Sequence, residues 1–350
     1  MTKNDETAGW TMRKIAVTLG GLILAAFFVW FTLRWFRGDQ LGEAAMRLLR
    51  SPGLLILMTA GYAGSFGLKA LAWRLYAGRN KLDPLRHYVH PLFVSLLINH
   101  VLPVKAGDLA RTGLLVRGTS ARWDDSLHGV AAMRMLDLAS LLLIGAVGAL
   151  ALGLEASPWF MLAAGIGALG AVAGWLGLER WRRRTLRETD GQEAAGRQEE
   201  SGSRVQHIAR LIMRHYEHLR ATLTSRRGAG AASMTLASWL LEGTVVYGVA
   251  LALELPVNPL EAVWVTGMTI AGQAFHVTPG GIGTYETTLT ASLGVLGVAG
   301  SAAYTAALLS HGYKFAFAYI AGGLSMAMTA VTWTDMRGWL RLRGREGRHE

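Results

Sequence analysis

The chain has 350 residues, 51% of them hydrophobic and only 17% charged, with a mean hydropathy of +0.29 and a net charge of +11. An ordinary soluble domain carries about 25% charge, so the composition excludes that class and specifies an integral membrane protein. Cysteine is absent, which excludes disulfides, thiolate metal sites and thiol nucleophiles. The basic excess is expected of cytoplasmic loops and does not indicate a nucleic-acid partner.

Six apolar runs are long enough to cross a hydrocarbon core about 30 Å thick. They are 14–33, 53–77, 127–154, 158–178, 232–254 and 303–333. The first exceeds a signal-peptide core and lacks a small-residue cleavage site, so it reads as a retained span. Two further runs, 88–102 and 260–277, lead into "NHVLPVKAGD" and "FHVTPGGIGTYE". Both follow the skeleton His-Val-x-Pro-x-x-x-Gly, with helix breakers where a crossing helix should continue. That predicts two re-entrant elements that enter the bilayer, break and return on the same side. The fold class is therefore all-α, a single polytopic membrane domain over 1–350. It has about six spanning helices plus two re-entrant broken helices, arranged as candidate inverted repeats.

The basic residues orient the chain. With both termini inside, the cytoplasmic segments 1–14, 78–126, 179–230 and 334–350 hold 27 of the 35 Lys and Arg. The outside segments hold four, all in 34–51, which is the one misfit with the positive-inside rule. The first broken element then enters from the cytoplasm and the second from outside. Within 179–230, Val205, Ile208, Leu211, Ile212, Leu219 and Leu223 recur at helical spacing among arginines. That predicts an amphipathic helix, either lying on an anionic leaflet or solvated in the cytoplasm.

Irregular backbone is tolerated in hydrocarbon only where protein or water surrounds it, so two breaks predict a polar interior. At the first, Lys105, Asp108 and Arg111 share a face of any helix continuing from Gly107, two cations around one carboxylate. At the second, Pro279, Gly280, Gly281 and Gly283 precede a helix expected to start near Thr284. Its free N–H groups and positive dipole end could cradle a phosphate, or the glycines could simply allow a tight turn. Arg134 and Asp137, spaced i,i+3, read as an internal ion pair. Glu242 has no cation within one turn, so it must be protonated, face water, or meet a distant partner such as Lys314 or Arg134. His311 lies one turn before Lys314, and His100 and His276 precede the two prolines, where they could relay protons or cap freed carbonyls. No catalytic motif, metal cluster, cofactor site or ATP-binding element is legible.

"LPVKAGDLARTGLLVRGTS", "AAMRMLDL" and "TPGGIGTYETTLTASLGVLGV", in this order, resemble the lysylphosphatidylglycerol synthase transmembrane, flippase-like family. The resemblance covers roughly 50–330 and implies a bundle with re-entrant helices around a lipid head-group cavity. Position by position, Pro103, Lys105, Gly107, Asp108 and Arg111 match its first motif, with Lys and Asp where Arg and Glu are usual. Arg134 and Asp137 match the second stretch, with Met133 in place of an acid. Pro279, Gly280, Gly281, Gly283 and Glu286 match the third, and His311 stands where Arg is common. The soluble aminoacyltransferase domain of the fused synthases is not seen, so the chain is expected to be a stand-alone member.

The resulting expectation is a flippase in a bacterial inner membrane, passing an anionic or glycosylated lipid head group. Its partners would be a membrane lipid and a lipid-modifying enzyme, with homo-oligomerisation left open. Two alternatives stay open. One is a membrane-embedded lipid-modifying enzyme with Asp108 or Glu286 as general base. The other is a non-catalytic partner in a hopanoid or polyprenyl-glycan pathway.

Overall fold

A computed structural model describes residues 26–77, 83–102, 106–154, 173–183, 216–217, 220–221, 224–273, 278–332 and 335. Most of the expected 14–33 and 158–178 spans, and of the 179–230 loop, lies outside those residues. The described chain is helical throughout, without strands. Its helices are α1 (26–35), α2 (Gly38–Leu49), α3 (Pro52–Ala77), α4 (Arg86–Val101), α5 (Gly107–Gly118) and α6 (Trp123–Ala151). Then follow α7 (173–183), α8 (Arg226–Ala252), α9 (Pro259–Gly272), a 3-10 turn (Pro279–Gly281), α10 (Thr284–Val295) and α11 (Gly300–Thr329). Among the described residues, α3, α6 and α8 are long and apolar enough to cross a membrane. Leu138, Leu142, Val147 and Leu150 on α6 and Ile320, Leu324 and Met328 on α11 are exposed, an apolar surface suited to lipid. The protein is an all-α integral membrane protein.

Local chemistry sets the helix ends. Ser225 caps α8 by accepting from the Gly228 N–H at 3.2 Å. Asn258 and Glu261 cap α9 reciprocally, with Pro259 in the first turn. The expected re-entrant runs are α4 and α9; α4 stops at Val101, just before Pro103, whereas α9 stops at Gly272, seven residues before Pro279. After each stop the chain folds back, so α5 packs on α4 and α10 on α9. A glycine allows each close approach. Gly107 sits against Ser95 and donates its N–H to Asn99 Oδ1 at 3.0 Å, while Gly272 sits against Thr288. Within residues 34–51, expected as an outside segment, lies α2, whose Arg47 pairs with Glu43 and Glu254.

The packing pattern is reciprocal. One unit is α3, the α4–α5 hairpin and α6; the other is α8, the α9–α10 hairpin and α11. The opening helices α3 and α8 form the most extensive seam, antiparallel, with Gly61 against Thr244, Gly64 against Leu241 and Gly248 against Met58. Each hairpin then lies on the closing helix of the other unit. Gly322 of α11 abuts Leu97 of α4, and Gly148 of α6 abuts Trp264 of α9, whose Nε1 donates to the Gly145 carbonyl at 3.2 Å. This exchange of hairpins is the arrangement expected of inverted repeats.

Candidate functional site

The end of α4 meets the second break. The 3-10 turn at Pro279–Gly281 packs on α4, and Phe315 of α11 is wedged between them. Its ring stands edge-on to His100 at 4.7 Å, and Gly280 leaves no room there for a side chain. His100 itself caps α4, its Nδ1 bonded to the Leu96 carbonyl at 2.8 Å. Gly280, Gly281 and Gly283 have φ of +61°, +80° and +85°, values that L side chains adopt only with strain. The turn needs these glycines for geometry.

Three of its donors, however, are already engaged. The N–H groups of Gly281 and Ile282 go to the carbonyls of Thr278 and Pro279, and the Gly283 N–H donates to Glu286 Oε2 at 2.6 Å. These three N–H groups are therefore not free to cradle a phosphate, and the Glu286 carboxylate caps the positive end of α10. Glu286 Oε1 lies 2.7 Å from His311 Nδ1, and His311 Nε2 lies 3.1 Å from the Gly280 carbonyl. His311, 3% exposed, thus ties both sides of the break to α11.

The first break has a matching clamp. Arg134 of α6 grips Asp108 of α5 with two bonds, Nε to Oδ2 at 3.1 Å and Nη2 to Oδ1 at 2.9 Å. The expected Arg134–Asp137 ion pair is therefore corrected. The planar guanidinium finds a bidentate partner on the hairpin, while Asp137 accepts from Trp239 Nε1 at 3.0 Å. Arg134 and His311 each lie about three turns into the closing helix of their unit. Each holds the carboxylate just past its own break. Arg111 lies beside the first clamp, 3.6 Å from Asp108, donating to the Val130 carbonyl and facing the Trp73 ring at 5.1 Å. Its Nε and Trp73 Nε1 are buried donors without a hydrogen-bond partner among the described residues.

Glu242 joins the two halves. Its carboxylate accepts from Lys314 Nζ at 2.9 Å and from Lys69 Nζ at 3.1 Å. Lys69 lies over the Trp239 ring at 3.6 Å, and Trp239 holds Asp137. Three groups of polar contacts form a belt: Glu286 with His311; Lys314, Glu242, Lys69, Trp239 and Asp137; and Arg134, Asp108 and Arg111. Asp137, Trp239 and Lys314 fall at the midpoints of α6, α8 and α11, so this belt crosses the bundle at mid-depth.

Thirteen of the fifteen site residues expected from sequence, from Gly107 to Lys314, are described, and all lie in the belt or the breaks. Lys105 and His276 fall outside the described residues. Sequence reasoning missed Lys69, Trp73 and Trp239. A lone lysine in an apolar run was a sufficient signal for Lys69; the two tryptophans carried none.

Residues 18–322 match the family model described as the lysylphosphatidylglycerol synthase TM region, and the chain belongs to that family. It is also similar to a curated protein named Glycosyltransferase AglD, from Haloferax volcanii, at 26% identity over 279 residues. That match covers 69% of this chain and 43% of the relative, so the chain spans less than half the length of the protein it resembles. No solved structure matches the chain.

Proposed function

We propose that the protein is a lipid translocator of a bacterial inner membrane, with both termini cytoplasmic. It passes an anionic or glycosylated lipid head group along the mid-depth belt while the acyl chains stay in the bilayer. The observation that supports this best is the belt of polar clusters between two broken hairpins inside an otherwise apolar bundle. A head group crossing hydrocarbon needs hydrogen-bonding partners at every depth. The belt supplies them where the bilayer is least polar.

Two features favour an anionic group. Asp108 faces both Arg111 and Arg134, and Glu242 faces both Lys69 and Lys314, so each of these two carboxylates has two cationic partners. Trp73 Nε1, a buried donor without a hydrogen-bond partner among the described residues, lies in the same region, as does Arg111 Nε, which faces Asp108 at 3.6 Å without a hydrogen bond. In this reading Lys105 meets the head group at the cytoplasmic entrance.

The resemblance to a protein named as a glycosyltransferase favours a second reading, in which the chain serves an enzyme acting on a glycosylated lipid or modifies such a lipid itself. Mass spectrometry of lipid retained by the purified protein, followed by incubation in sealed liposomes, separates the two. Transport changes the sidedness of the lipid and leaves its mass unchanged. A changed mass overturns the transport reading.

A further inference from the structure

The two clamps differ in one respect. Arg134 keeps its charge at any pH a protein meets, so the first clamp is permanent. Its counterpart in the second unit is a histidine, whose hydrogen bonds count its protons. The Gly280 carbonyl can only accept, so His311 Nε2, 3.1 Å away, carries hydrogen. Glu286 Oε2 is engaged by the Gly283 N–H, and Oε1 lies 2.7 Å from His311 Nδ1. A bare imidazole lone pair would repel a carboxylate oxygen at that separation. A second proton therefore lies between Nδ1 and Oε1, whichever atom holds it.

We propose that the His311–Glu286 pair is a proton-binding site and that the proton is the ion coupled to head-group passage. The proposal rests on the transport reading above. The proton enters from water on the side to which the second break opens and leaves to water on the other side. When it leaves, the neutral imidazole has one hydrogen for two acceptors, so a lone pair faces either Glu286 Oε1 or the Gly280 carbonyl in a buried contact. One of the two ties from α11 to the second break is then lost, and the turn at 279–283 is free to part from Phe315. The first clamp undergoes no such change, so the cycle has one proton-sensitive arm and one fixed arm.

The charged and titratable neighbours on each packed element fit this assignment. On α10, Tyr285 stacks on the His311 ring at 4.1 Å, and its hydroxyl donates to Ser310. On α11 itself, Lys314 is one turn away but bound to Glu242 of α8, which also binds Lys69 of α3. Tyr62 of α3 faces Lys314, and His100 of α4 lies beyond Phe315. On α2, Glu43 and Arg47 face each other and Glu254. Tyr304 of α11 pairs with Thr32 of α1. The described cations nearest the pair are thus engaged by a carboxylate other than Glu286.

The test uses the full chain in sealed liposomes with labelled phosphatidylglycerol and an imposed pH gradient, alongside imidazole NMR of histidine-labelled protein. With one proton exchanged per lipid, each pH unit should shift the steady-state inside-to-outside label ratio by about tenfold. The His311 signal, identified by its loss in His311→Gln, should lose one proton on titration and respond to added lipid. His311→Arg, a permanent cation like Arg134, should move lipid without responding to the gradient. Should it fail to fold, Glu286→Gln, which also removes the stored proton, should show the same loss of response. Wild-type protein that equilibrates the label with a ratio fixed at one overturns the proton assignment and leaves transport standing. Folded wild-type protein that moves no label overturns both.

Discussion

Glu242 is 4% exposed and lies between two lysine ammonium groups near the middle of the bundle. Burying three charges is costly unless each is paired, and removing the shared partner strands two cations. Glu242→Gln should therefore lower stability by about 3–5 kcal/mol, read as loss of folded protein on thermal titration in detergent. Lys69→Met should cost less, because Lys314 remains on the carboxylate. Arg134 gives a sharper test of which contact exists. A double-mutant cycle between Arg134→Ala and Asp108→Ala should show coupling of about 0.5–3 kcal/mol, and one between Arg134→Ala and Asp137→Ala close to none. The opposite ordering would place the clamp wrongly.

At the level of elements, the second break is the most demanding piece of backbone. Gly281 has φ +80°, and a Cβ there would sit 2.7 Å from Gln273 Nε2. Gly281→Val should cost about 1–2 kcal/mol or more from the left-handed backbone alone, measured by thermal unfolding, and should slow transport further than that loss of folded protein explains. Glu179 ties α7 to Tyr216 and Arg220. Arg182 and the Tyr216 hydroxyl bond its carboxylate, holding it down to about 2. A depressed carboxylate stabilises above its unfolded value and loses that contribution as pH falls through its folded one. The tie should thus weaken between about pH 4 and 2. Trp175, 5.2 Å from Tyr216, reports it by fluorescence, and Glu179→Gln should abolish the transition. These elements differ in how far the sequence reveals them. Pro and Gly at fixed offsets mark both breaks, because backbone geometry is a local property. Which side chain meets which is not local. Arg134 and Asp137 share a helix face, and only the return of α5 beside α6 shows that Arg134 reaches Asp108 instead.

Across the whole molecule, two units exchange hairpins around the antiparallel α3–α8 seam, and the belt lies where they interlock. The shared His-Val-x-Pro-x-x-x-Gly skeleton was enough to suggest two related breaks. That the end of α4 meets the second break at Phe315 depends on packing between units far apart in the chain. In the proposed orientation, Ala195→Cys is cytoplasmic and Pro256→Cys is outside. An impermeant thiol reagent applied to whole cells should label only the second; labelling of the first alone would invert the scheme. The central claim, that the belt carries a head group across, is tested most directly by crossing rates in sealed liposomes. Labelled phosphatidylglycerol should become accessible to an external quencher with wild-type protein, and at least about tenfold more slowly with folded Lys69→Met, which removes one belt cation. Equal rates for the two proteins, or no crossing above protein-free liposomes, would contradict the account.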